Sequence, residues 1–371
     1  MRRALLPAAL AALVFSGLAE AAPPAPNARA FVVENGATGE VLAQSNEREQ
    51  LPIASITKLM TVLLTLERAK LDDVVTVPAE VTTVGESTAE LEAGQRLTVR
   101  ELVEAALVPS ANDAADTLAY YVGKGDQTAF VSLMNARARA LGLRSTHFVR
   151  PEGLDPGDVS SARDVTKLAR MLMGRSVVRG MVRERSVTVG GRTFDTRNNL
   201  LATFPGAIGV KTGHTSAAGW SEVAAARRNG VTVYATLLGS PAEFVRDADL
   251  AQLLDWAISR YRPAVLVDPH RVYARAETGF GRGLVPLVAE RRLVRAVQAG
   301  RPLVERVVVP AAVSLPVERG RPLGEVRVYQ SGRLLGGRPL VAAKSVSRPS
   351  LAGRMGWYAG RTFHHLFGWL G

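Results

Sequence analysis

The chain has 371 residues, 47% hydrophobic and 22% charged, which allows two domains and a sizeable core and excludes an intrinsically disordered protein. No cysteine is present, so disulfides and thiolate metal sites are excluded. The formal charge of +12 suits an anionic partner or surface, but 6% aromatics and arginines spread without a basic stripe speak against nucleic acid.

At the N-terminus, Arg2 and Arg3, an apolar run from Ala4 to Leu18 and the small-x-small triplet Ala19-Glu20-Ala21 read as an export signal over 1–21. The mature chain is then expected to begin near Ala22 and to act outside the cytoplasm, on the periplasmic or extracellular face of the cytoplasmic membrane. The apolar run is shorter than the roughly 20 residues a membrane span requires. Pro23 to Pro26 leads into AFVVENGATGEVLA, a predicted hairpin with arms Phe31–Val33 and Glu40–Ala43 around Asn35, Gly36 and Gly39. Helical spacing of Leu59, Val62, Leu63 and Leu66 predicts a helix from Ser55 to near Lys70. Helices are also predicted at 99–107, 111–122, 127–141 and 161–173, and strands at about 184–194, 207–212, 219–227 and 231–238. This order predicts an α+β domain with a helical insertion in an antiparallel sheet, closed by a helix from Ala242 to Tyr261. The catalytic unit is thus expected over 29–262. Short β-like runs broken by Gly and Pro, with a turn at Ser331-Gly332-Arg333, predict a small all-β domain over 263–346. In the last segment, 351–371, Leu351, Met355, Tyr358, Phe363, Leu366, Phe367 and Leu370 gather on one side of a helix, opposite Arg354 and Arg361. Such a helix suits the membrane interface and makes the membrane surface an expected partner.

The stretch ASITKLM places Lys58 three residues after Ser55. Only six of the 46 basic residues are lysines, and an amine, unlike a guanidinium, can lose its proton near neutral pH. On a helix, residues three apart share a face, so a hydroxyl and an amine here can act as nucleophile and base. Alone the S-x-x-K pattern is weak, because it occurs by chance in many proteins, and an N-cap serine with a solvated lysine is the better explanation of it. Two further stretches change the balance. Ser110-Ala111-Asn112 lies between two apolar helices, and Lys211-Thr212-Gly213 follows an apolar strand, with separations of roughly 50 and 100 residues. S-x-x-K, S-x-N and K-T-G in this order form the motif set of penicillin-binding proteins and serine β-lactamases.

With these motifs the chain resembles the low-molecular-mass penicillin-binding proteins that are serine-type D-alanyl-D-alanine carboxypeptidases of the cell envelope. The likeness extends to TGEVLAQSNEREQLPIASITKLMT, HFVRPEGLDPGDVSSARD, GVKTGHTSAAGW and ERGRPLGEVRVYQSGRLLGGRPLVAAKSV, in all about residues 29–346. An amphipathic C-terminal anchor is also a family feature. The implied fold is a serine β-lactamase/DD-peptidase-like catalytic domain followed by a small β domain.

The resemblance implies a peptidoglycan stem pentapeptide as substrate, β-lactams as inhibitors and no cofactor or metal. It implies that Ser55 forms the acyl-enzyme, Lys58 is the general base, Ser110 relays a proton to the leaving amine, and Asn112 holds the substrate amide. Burial and the nearby positive Lys211 would both favour a neutral Lys58. Lys211 and Thr212 would line the opposite wall, Gly213 would leave room for an extended substrate, and the backbone N–H groups of Ser55 and His214 would form the oxyanion hole. Such a donor contributes about 3 kcal/mol in comparable enzymes. In some family members an arginine before the K-T-G strand binds the terminal carboxylate; the matching position is Arg197. Departures from the family text are Ala111, where glycine is frequent, the flanking loop GESTAEL, and 263–285.

A class A β-lactamase shares the three motifs but deacylates with a glutamate in an E-x-x-x-N context. Between Asp113 and Val210 the only glutamates are Glu152 and Glu184, followed four residues on by Pro156 and Thr188, so that signature is missing. A DD-endopeptidase with the same nucleophile, and a penicillin-binding sensor that acylates without turnover, are also compatible with the motifs. No H-x-x-H or clustered Asp/His pattern suggests a metal, and no glycine loop suggests a phosphate site.

Overall fold

The computed structural model describes residues 10–13 and 22–367. Its contacts divide the chain into two units, Ala21–Arg260 and Tyr261–Gly371 with Met1–Glu20. The export-signal reading of 1–21 lies outside the described residues except for Leu10–Leu13, a short strand paired antiparallel with Leu303–Val308.

The first unit is α+β. Its strands are β1 (Ala30–Asn35), β2 (Val41–Ser45), β3 (Ala207–Thr215), β4 (Gly219–Arg228) and β5 (Val231–Ser240). They form one antiparallel sheet in the order β3-β4-β5-β1-β2. The strand β4 buries every residue from Ser221 to Ala226, so both of its faces are covered. Val223 and Ala225 join the core of the helical subdomain, and the long helix α6 (Glu243–Ser259) also packs against β4 and β5. That subdomain contains α1 (Lys58–Arg68), α2 (Val99–Leu107), α3 (Asn112–Val122), α4 (Gln127–Ala140) and α5 (Ala162–Leu172).

Helix starts follow their caps. Thr98 and Glu101 form a reciprocal capping box at α2, Asp126 accepts from Thr128 and Ala129 N–H at α4, and Ser161 accepts from Asp164 N–H at α5. Three predicted elements differ from the structure. The helix read from Ser55 begins as a 3-10 turn, Ala54–Thr57, with α geometry only from Lys58. The strand read over 184–194 is a hairpin, Ser186–Val189 and Arg192–Asp195, because Gly190 and Gly191 both take positive φ, 56° and 82°. The helix read to Tyr261 stops at Ser259, since Tyr261 pairs with Gln298 in a two-stranded sheet.

In the second unit, a sheet built mainly on Leu303–Val308, Pro322–Gln330, Arg333–Ala342, Leu284–Ala289 and Val272–Thr278 encloses Val285, Leu287, Val326, Val328 and Leu340. The hairpin turn at Ser331-Gly332 uses positive φ at both residues, 50° and 78°. A helix runs from Leu351 to Phe367; Trp357 and Tyr358 meet Phe280 edge-on, while Leu351 and Met355 are exposed. No helix of the described residues is long and apolar enough to cross a membrane.

Candidate active site

The sheet edge and the helical subdomain meet at Ser55. The strand β3 has a sheet partner on one side only, and its other side packs on the turn Ala54–Thr57. Gly213 is what permits this contact: a Cβ there would stand 2.7 Å from the Ile53 carbonyl oxygen and 3.2 Å from Ile56 N. It makes room for the nucleophile's own turn.

Ser55 is half-buried at the mouth of the site, and Lys58 beneath it is completely buried. Lys58 Nζ lies 2.8 Å from Ser55 Oγ, 2.6 Å from Asn112 Oδ1 and 2.8 Å from the Glu152 carbonyl oxygen. Two of these partners are carbonyl oxygens, which can only accept. A neutral amine has two N–H groups to give them and one lone pair left for the serine O–H. The geometry thus accommodates the base form without rearrangement. Burial pushes the Lys58 pKa down to about 8, against the pull of Glu152, Asp116, Asp113 and Glu86 in the other direction.

The loop that brings the Glu152 carbonyl to Lys58 is fixed from several sides. Thr61 on α1 donates to the Pro151 carbonyl at 2.6 Å, and the buried Asp158 carboxylate accepts from Val149 and Arg150 N–H. Gly153, at φ 90°, passes so close to Ala54 that a Cβ would stand 2.1 Å from its carbonyl oxygen. No side chain fits there.

Asn112 holds Lys58 through Oδ1 and donates Nδ2–H to the Gly85 carbonyl at 2.9 Å. It was expected to hold substrate; in the structure both ends of its amide already bind the protein, leaving one N–H and one lone pair. The flanking loop is tied to the same helix start: Asn112 N–H donates to the Ser87 carbonyl, and Asp113 accepts from Ala89 and Leu91 N–H. Ser110 sits at φ 68°, an unfavourable conformation for a serine, and its Oγ accepts from Lys211 Nζ at 2.8 Å. Lys211 also donates to the Thr212 carbonyl at 2.9 Å. Burial, and then the charge of Lys58, hold the Lys211 pKa well below its ordinary value. Two buried lysines thus each have a serine partner.

Thr212 is buried at 7% exposure, and His214 is exposed with its ring stacked on Trp220 at 3.9 Å between centroids. Arg197 is exposed, its backbone N–H bonds the Val108 carbonyl, and its charge acts on Lys211. Its guanidinium has no ion pair among the described residues.

Three groups escaped the reading of the sequence. Arg246 on α6 is 1% exposed, pairs with Glu222 at 3.2 Å and lies over Trp220. Asp116 lies one turn beyond Asn112 on α3, and its buried carboxyl meets that of Glu152. The third is the Glu152 carbonyl itself. This glutamate, which lacks the β-lactamase context, reaches Lys58 through its backbone; its carboxyl pairs with Arg150, at 2.5 Å, and with Asp116. The buried position of Asp116, four residues after Asn112, was the one readable signal. No group of His, Asp and Glu among the described residues could hold a metal ion.

A family model described as D-alanyl-D-alanine carboxypeptidase matches residues 18–242. D-alanyl-D-alanine carboxypeptidase DacD of Salmonella typhimurium is 32% identical, over 91% of this chain and 90% of that protein. Among solved structures, penicillin binding protein 6B of Escherichia coli is similar with TM-score 0.65 and 28% identity, covering 88% of this chain and 99% of that one. The Streptomyces K15 DD-transpeptidase is similar with TM-score 0.62 and 30% identity, over 64% of this chain and all of that one (100%).

Proposed function

The chain belongs to the D-alanyl-D-alanine carboxypeptidase family and is a serine-type peptidase, and we propose that Ser55 cleaves the terminal D-alanine from peptidoglycan stem pentapeptides through an acyl-enzyme. The observation that carries this reading is the coordination of Lys58: two carbonyl acceptors and one serine hydroxyl around a fully buried amine.

The Ser55 oxygen attacks the carbonyl between the two D-alanines while its proton passes to Lys58. The resulting oxyanion is met by the backbone N–H groups of Ser55 and His214. As the C–N bond breaks, the leaving amine takes a proton relayed through Ser110, which Lys211 holds at 2.8 Å. Lys58 then activates the water that cleaves the ester, and Ser55 regains its proton. The charge of Arg197, together with the Lys211 amine and Thr212 as hydrogen-bond donors, suits a terminal carboxylate. β-Lactams acylate the same serine.

Incubating the purified protein with diacetyl-Lys-D-Ala-D-Ala tests the proposal, with stoichiometric release of D-alanine as the expected result. Stable acylation by penicillin without such release would instead identify a sensor. For Arg197→Ala we expect KM to rise about tenfold with kcat little changed, since a charge-assisted contact to a substrate carboxylate is lost. An unchanged KM in the D-alanine release assay would remove Arg197 from the site.

Export by the N-terminal segment and a peripheral position on the membrane belong to the same proposal. They are supported by the signal-like sequence of 1–21 and by the exposed Leu351, Met355 and Tyr358 of the terminal helix. Deleting 351–371 is expected to move the protein from the membrane pellet to the soluble fraction, and unchanged sedimentation would refute the anchor.

A further inference from the structure

The carboxyls of Asp116 and Glu152 meet below Lys58. Asp116 is 3% exposed and Glu152 is completely buried. Neither Glu152 oxygen, nor Asp116 Oδ1, receives a hydrogen bond from an N–H or O–H group of the described protein; the nearest cation is Arg150, whose Nε lies 2.5 Å from Glu152 Oε1. Glu152 is the neighbouring group that acts most strongly on the Asp116 carboxyl, and the two side chains lie within hydrogen-bonding reach of each other. Two carboxylates are both pure acceptors, so this contact requires one proton between them. Each residue is linked through the backbone to a group that binds Lys58: Glu152 supplies its own carbonyl, and Asp116 stands one helical turn from Asn112.

We propose that Asp116 is a positioning residue: its carboxyl and that of Glu152 share a single proton in competition with Lys58, which fixes the pH at which the base becomes available. This rests on Lys58 being the base. When the cluster loses one proton as pH rises, two arrangements compete. Either Lys58 becomes a neutral amine beside a singly charged pair, or it stays an ammonium beside two carboxylates. Only the first can take the proton of Ser55. Titration of the base is therefore spread over a wider range and displaced upward, as in any pair of coupled sites. Burial and the neighbouring Glu152 raise the Asp116 pKa to about 8, the region into which burial lowers Lys58.

The charged groups acting on the pair are Lys58 from α1 and Arg150 and Asp158 from the 150–158 loop; Asp113 from α3 and Glu86 from the flanking loop act on Lys58, and Asp155 acts on Asp158. Arg150 offsets one negative charge. Asp116 and Arg150 also line a surface cavity of about 530 Å³, with Glu80, Tyr120 and Asp126 on its walls. Through it the shared proton can exchange with water at a cavity that Ser55 does not line.

The test is the pH profile of acylation by a chromogenic penicillin, from about pH 5.5 to 10, on the full chain and on Asp116→Asn, Glu152→Gln and the double variant, with Tm followed in parallel. Each amide keeps the hydrogen bond and removes the shared proton. With the competitor gone, the rising limb is expected to steepen and to move down by about half a unit in either single variant. In the double variant, which also removes the remaining charge, it is expected to move by about one unit in all. If one single variant does not fold, the other carries the same expectation. A limb that stays within about 0.2 unit of the native one, whatever happens to Tm or to the plateau rate, overturns the shared-proton proposal alone. A native profile with no rising limb overturns the base assignment of Lys58 and this proposal with it.

Discussion

Ser55→Ala is expected to abolish both covalent labelling by a fluorescent penicillin and release of D-alanine. Loss of the nucleophile in a serine peptidase costs about 10⁶-fold in kcat, because the residues that activate it then have nothing to activate. The substitution should leave the fold intact: Ser55 is half-buried, and among the described residues its side chain bonds only Lys58. Labelled membranes and the purified chain are both suitable. Retention of either activity by the variant would sink the assignment.

Lys58→Arg is expected to be the next most damaging change. A guanidinium does not deprotonate in proteins, so no base remains to receive the Ser55 proton, and acylation should fall by about 10²–10⁴-fold. The site is also tight: Lys58 is fully buried, with Asn112 Oδ1 and the Glu152 carbonyl both within 2.8 Å. Forcing a larger head group into it should cost about 1–3 kcal/mol of stability, visible as a lowered Tm but not as unfolding. Stopped-flow acylation by penicillin, read beside a thermal melt, separates the two effects. Native acylation rates in this variant would refute the base role.

Much of this was legible because the chemistry sits in short local patterns. Ser55 and Lys58 belong to one turn, so their pairing at 2.8 Å is written in a spacing of three. The order of strands and helices announced the mixed fold, and the helices expected at 99–107, 127–141 and 161–173 are present, each opened by a cap seen in the structure at Thr98, Asp126 or Ser161. Misreadings came where backbone conformation overrides pattern. Gly190-Gly191 turns an apparent strand into a hairpin, and the 3-10 turn at Ala54–Thr57 delays the helix.

The sequence by itself determined the reaction class: three motifs in order, with lysines in an arginine-rich chain at the two positions where an amine is needed. Tertiary structure alone decided how that chemistry is tuned. It placed the Glu152 carbonyl, 94 residues from Lys58, as the amine's third partner, paired Asp116 with Glu152, and gave Gly213 its purpose against Ile53. The physical reason is that every residue carries the same carbonyl oxygen. No side-chain identity marks the one that will hold a lysine, and only the folded path of the 150–154 loop brings it there.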